Sequence, residues 1–196
     1  MAKQPWIRSL QSASKAPSKG LKSLPELFFP HLLQTYSFSF KTLEEAADLA
    51  AYLSSFYPQS RQHRVELGLI ELFLNAIEHG NLGIDYGLKS QLKKNNCWEK
   101  EIKHRLTLPA HQDKMVSVCL DINPAYILLT IKDCGVGFNW REFNDRHPSS
   151  TTELHGRGIT MAKELCFDKL SFSEKGNEVS CTVYTLRDLP RFSGMQ

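Results

Sequence analysis

From Gln34 to Phe40 the chain alternates aromatic and small polar residues (Q-T-Y-S-F-S-F), the period-two pattern of a half-buried strand. Thr42 follows, with Glu45 three residues later, a capping box that opens a helix. Leu43, Ala46, Ala50 and Leu53 recur at helical spacing, so that helix should run to about Phe56, ahead of the breaker Pro58. A second helix is predicted from about Arg61 to Gly80, a glycine C-cap. In the polar stretch 85–113, Leu88 and Leu92, then Trp98, Ile102 and Leu106, predict two short amphipathic helices. Met115–Leu120 and Tyr126–Lys132 read as a hairpin turned at Asn123-Pro124, and Lys169–Ser173 with Glu178–Leu186 as another. Ile159, Met161, Ala162 and Leu165 mark a helix between the hairpins. The pattern is α+β: a two-layer sandwich with a mixed, mostly antiparallel sheet and helices on one face.

The second helix is the most informative. Val65, Leu69, Ile70, Leu72, Phe73, Leu74, Ala76 and Ile77 cover most of its circumference, the mark of a buried helix. Arg64, Glu71, Asn75, Glu78 and His79 interrupt it. At ~100° per residue they fall within about 100° of one another, forming a narrow polar stripe. Gly68 sits within that stripe and leaves a gap in it. Burying such groups costs several kcal/mol unless partners are supplied, so a narrow stripe on a wide apolar arc points to a polar cleft.

Composition narrows the class. The chain has 196 residues, 41% hydrophobic and 23% charged, which suits one globular domain. Its net charge of +3 is uneven: residues 1–25 carry five bases and no acid, leaving 19 bases and 21 acids elsewhere. The excess belongs to an N-terminal arm, read as flexible, so it implies no direct nucleic-acid partner for the domain at 26–190. Five widely spaced cysteines, with no zinc-like spacing, fit a reducing compartment. Together with the lack of a bilayer-length apolar run or a signal peptide, they make a cytoplasmic location, without a membrane partner, the expectation.

Three motifs carry the chemistry: Glu71-Leu-Phe-Leu-Asn75-Ala-Ile-Glu78-His79-Gly80, Asp133-Cys-Gly135-Val-Gly137-Phe138, and Gly156-Arg157-Gly158-Ile159. Each alone is commonplace: a polar pair on a helix, a glycine turn, a tight helix entry. Together and in this order they resemble the N-box and the two glycine boxes of histidine-kinase-like (GHKL) ATPase domains, whose fold is called Bergerat. Within that group the chain is most similar to the anti-sigma-factor serine/threonine kinases. The resemblance covers roughly residues 35–186. Its departures are the segment 85–113, longer than those kinases carry there, and the basic arm. The segment reads either as a surface elaboration or as a cover over a partner surface.

The resemblance implies ATP and Mg²⁺ as cofactors and a role for each motif residue. Asp133 would accept a hydrogen bond from the adenine amine. Gly135 and Gly137 would let the backbone pass beside the base and sugar, next to Phe138. Asn75 would offer its amide oxygen to Mg²⁺. Glu71 would serve as catalytic base. Gly156, Arg157, Gly158 and Ile159, opening a helix, would face the phosphates. Glu78 and His79 would complete the nucleotide site as its buttress, and residues 139–155, with Arg141 and Arg146, would form an ATP lid. The implied function is a protein serine kinase that phosphorylates a serine of a STAS-type anti-anti-sigma protein and binds a sigma factor. Homodimerisation through the first strand and helix is the family's habit. The alternatives are a nucleotide-gated binding module without phosphotransfer, or the catalytic fragment of a histidine kinase. Against the latter, Glu78 stands where histidine kinases usually carry a base.

Overall fold

A computed structural model describes residues 7–10, 34–141 and 157–185. The elements in chain order begin with β1 (Ile7–Leu10), β2 (Gln34–Phe40), α1 (Leu43–Ser54) and α2 (Gln59–Asn75), which runs into a π-helical turn, Ala76–Asn81. Next come α3 (Tyr86–Lys94), α4 (Trp98–Arg105), β3 (Val116–Ile122) and β4 (Tyr126–Lys132). The last are α5 (Arg157–Met161), a second π-helical segment (Ala162–Cys166), β5 (Lys169–Phe172) and β6 (Glu178–Tyr184). No described helix is long and apolar enough to cross a membrane.

The strands form one six-stranded sheet in the order β1-β2-β3-β4-β6-β5. Every neighbouring pair is antiparallel, which corrects the expectation of a mixed sheet. The connection from β4 through α5 carries β5 past the place beside β4, and the β5–β6 hairpin puts β6 there instead. No parallel neighbours result. Within the arm, Ile7–Leu10 pairs with β2 as an edge strand, with a register shift between Ile7 and Ser9. The rest of 1–25 lies outside the described residues.

Alternation decides which face is covered. Phe38 and Phe40, Val116, Val118 and Leu120, Ile127, Leu129 and Ile131, then Val179, Cys181 and Val183 are buried, while their neighbours along each strand are more exposed. They share one core with Leu49 and Leu53 of α1 and Val65, Leu69 and Phe73 of α2. Phe40 and Phe73 meet with ring centroids 4.6 Å apart. The capping box forms as its spacing implies: Thr42 accepts from the Glu45 N–H at 3.1 Å, and Glu45 accepts from the Thr42 N–H at 3.0 Å. Gly68 fills no gap in a cleft. A Cβ there would stand 2.6 Å from that of Cys166 and 2.7 Å from the Phe167 ring, so its bareness lets α2 pack onto the second π segment.

Candidate functional site

A cavity of about 390 Å³ opens between the C-terminal part of α2 with its π turn, the loop after β4, the β5–β6 hairpin and the start of α5. Asn75, His79, Asp133, Gly137, Phe138 and Ile159 line it, so six of the residues singled out in three separate motifs converge. Leu72, Ile84, Ile131 and Val179 supply much of its apolar wall.

The π turn sorts the polar stripe. A π turn is wider than an α turn, so each residue after Asn75 advances by less than ~100°. That lag brings His79 back toward the Asn75 face, onto the cavity, and carries Glu78 off it. Glu78 is wholly buried, with 0% exposure, and does not line the cavity. Its Oε1 accepts from the Trp98 indole at 2.8 Å, and its Oε2 pairs with Lys89. Burial holds the His79 imidazole below its ordinary pKa, outweighing the nearby Glu78 carboxylate. The Nδ1–H of the neutral ring donates to the Ile84 carbonyl. Arg64, at the other end of the stripe, is exposed.

Asp133 follows the last residue of β4 and is tied down on both sides. Its N–H donates to the Asn177 carbonyl at 3.0 Å, and its own carbonyl accepts from the Asn177 amide at 3.2 Å. Its Oδ1 accepts from the Gly135 N–H at 2.7 Å. Oδ2 has no hydrogen bond from another described residue. Burial raises the carboxyl above its ordinary pKa, against the Gly135 hydrogen bond and the Lys175 charge. The backbone presses close here. A Cβ on Gly80 would sit 2.6 Å from Asp133 Oδ1, and one on Gly135 would sit 2.6 Å from the Gly80 carbonyl oxygen. Gly137 adopts φ +84, and a Cβ there would run into the Lys175 carbonyl. Gly80 and Gly135 are demanded by contact between the first two motifs, and Gly137 by contact with the β5–β6 turn.

The third motif meets the first. A side chain on Gly158 would collide with the Glu71 carboxylate, so the second glycine box packs directly over the expected base. Glu71, Gly135 and Gly158 are not among the residues that line this cavity. Gly156, Arg146 and the side chain of Arg157 lie outside the described residues, as does 142–155 of the expected lid. Of the lid's described start, Asn139 lines the cavity, Trp140 donates to the Ser173 carbonyl at 2.9 Å, and the Arg141 guanidinium lies over the Trp140 ring.

The pattern of residue types missed two asparagines and one wall. Asn81, 3% exposed, accepts from the Cys134 N–H at 2.8 Å and so ties the π turn to the loop after β4. Asn177 holds Asp133 from the β5–β6 turn. A polar residue directly after a buried helix's glycine was the available signal for Asn81; Asn177 reads as ordinary turn chemistry. The wall is Asp85 and Tyr86, which begin the 85–113 segment. That segment forms the two expected helices, with Ile102 fully buried and Leu88, Leu92, Trp98 and Leu106 packed against the core.

The donor set can be tested against the implied groups. The cavity pairs an apolar slot with a carboxylate oxygen available at Asp133, which suits a flat base bearing an amine. Among the described residues no three His, Cys, Asp or Glu side chains converge. A hard cation here would take Asn75 and oxygens brought by a phosphate ligand, the habit of Mg²⁺. No family model and no curated protein matches the chain.

Proposed function

We infer that the chain is an ATP-dependent protein serine kinase of the anti-sigma-factor type, built on a Bergerat fold. The observation that carries this reading is the convergence of three sequence motifs on one cavity, with Asp133 presenting an open carboxylate oxygen between glycines that admit no side chain. In this reading the Asp133 carboxylate accepts the adenine amine, and Ile84, Ile131, Ile159 and Val179 exclude water from the ring faces. Asn75 supplies an amide oxygen to Mg²⁺, which would neutralise phosphate charge when bound. Glu71 sits one helical turn before Asn75, against the second glycine box. It takes the proton of a substrate serine as the serine oxygen bonds to the γ-phosphorus, the bond to the β–γ bridging oxygen breaks, and ADP departs. The substrate class is a STAS-type anti-anti-sigma protein, with a sigma factor as second partner, and a homodimer through β2 and α1 is the assembly proposed.

The test is incubation with Mg-ATP and candidate STAS-type proteins, read by phosphoserine mass spectrometry. Tight nucleotide binding with no phosphoserine on any of them would remove the kinase reading. One observation favours a nucleotide-gated binding module instead: Glu71 is not among the residues that line this cavity. Glu71→Ala separates the two, since a binding switch survives it and phosphotransfer does not.

A further inference from the structure

One wall of the cavity comes from the 85–113 segment and not from the helix and sheet that frame the rest. Ile84, Asp85 and Tyr86 line that side. The Ile84 N–H donates to the Glu78 carbonyl at 2.8 Å, and the Ile84 carbonyl accepts from His79. The Tyr86 ring lies 4.3 Å, centroid to centroid, from the His79 ring. Behind this wall is the Glu78 carboxylate, wholly buried. One of its oxygens is held by Lys89 of α3 and the other by Trp98 of α4. A single buried carboxylate is thus shared by both helices of the segment. Left without them it would be a buried charge lacking partners, which is strongly unfavourable. Docking of α3 and α4 is therefore coupled to one side chain on the site helix.

We propose that Glu78 is a positioning residue: by clamping Lys89 and Trp98 it sets the Ile84–Tyr86 wall, and so makes the 85–113 segment part of the ligand site. The ligand half of the claim rests on the nucleotide reading, whereas the wall half does not. The coupling runs through His79, which touches Glu78, Ile84 and Tyr86 and lines the cavity beside Asn75.

The experiment compares the full chain with its Lys89→Met and Lys89→Arg variants. Hydrogen exchange is followed by mass spectrometry over 82–94, with β3 and β4 as internal reference, and Mg-ATP affinity is measured by calorimetry. Lys89→Met should speed exchange at 82–94 while the reference strands hold, and should weaken Mg-ATP about tenfold, within the usual range of coupling between sites. Lys89→Arg, which keeps the charge, should restore both. Should Lys89→Met fail to fold, Trp98→Phe removes only the indole donor and should shift both readouts in the same direction. Unchanged exchange at 82–94 overturns the proposal. So does a loosened wall with unchanged Mg-ATP affinity, the result of a purely structural pair. A wild type that binds no Mg-ATP refutes the nucleotide reading by itself, and exchange at 82–94 then decides the wall alone.

Discussion

Replacing Asp133 with Asn exchanges one carboxylate oxygen for an NH₂ group and leaves the shape of the side chain nearly unchanged. The Gly135 N–H, 2.7 Å from Oδ1, requires an oxygen at that position and so fixes the amide's orientation. The new NH₂ then occupies the Oδ2 position, on a residue that lines the cavity. For a bound adenine this turns an amine-to-carboxylate hydrogen bond into two donors facing each other. Losing a hydrogen bond to a charged acceptor costs ~1.5–3 kcal/mol, and leaving a buried donor unsatisfied costs ~1–3 kcal/mol more. The total of about 2.5–6 kcal/mol, set against a micromolar site of order −8 kcal/mol, weakens ATP and ADP by two to four orders of magnitude. Titration calorimetry with both nucleotides measures it. The fold provides the control. Burial raises the Asp133 carboxyl above its ordinary pKa, so above that pKa the folded state carries an ionisation cost that Asn removes. The variant should therefore melt no lower than wild type at neutral pH, and any gain should vanish as acid protonates Asp133. Equal ATP binding by wild type and variant would refute the assignment of Asp133 and, with it, the nucleotide site.

Glu71→Ala should leave nucleotide affinity within a few-fold of wild type and cut phosphotransfer by ~10²–10⁴, the usual worth of a general base; comparison of calorimetry with phosphoserine yield checks it. His79 supplies a pH signature. Burial holds its pKa below the ordinary 6.5, so the unfolded chain takes up the proton first on acidification. Stability that is fully present above pH 6.5 should fall as the pH drops through and below that value. Melting curves across this range should show a weaker decline in His79→Gln, and coincident slopes would contradict the burial of a neutral imidazole. Two glycines with positive φ should behave differently. Gly137→Ala meets the Lys175 carbonyl at φ +84 and should cost at least ~2 kcal/mol. Gly83→Ala, at φ +61 with nothing within 4 Å, should cost only the ~1 kcal/mol of left-handed backbone. Urea denaturation of both variants gives the ordering.

Much of the fold was legible because the signals behind it are local. Strand β2 falls on the alternating run Gln34–Phe40, and α1 begins where Thr42 and Glu45 form their capping box. The helix pair within 85–113 appears where its leucines, Trp98 and Ile102 recur. The motif order also foretold which loops would face one another, because glycines without side chains and lone carboxylates are tied to close backbone approach. Alternation could not say which strands would be neighbours. The placing of β6 between β4 and β5, which makes the sheet wholly antiparallel, follows from a crossover that no period in the chain records.

Residue pattern alone was enough for most of the elements, the apolar face of each, and the group of residues around Asn75 and Asp133. The tertiary structure alone decided which members of the polar stripe reach the cavity. A straight α-helix would put Glu78 beside Glu71, but the π turn after Asn75 rotates Glu78 into the core and His79 onto the site. The reason is that a register shift of this kind has no local signature. It depends on what packs against the turn: Lys89 and Trp98 take the Glu78 carboxylate, Ile84 takes the His79 ring, and Asn81 reaches the Cys134 N–H. The 85–113 segment, ambiguous between ornament and cover when only its composition is known, becomes a wall of the cavity because the buried Glu78 carboxylate takes both of its side-chain partners, Lys89 and Trp98, from it.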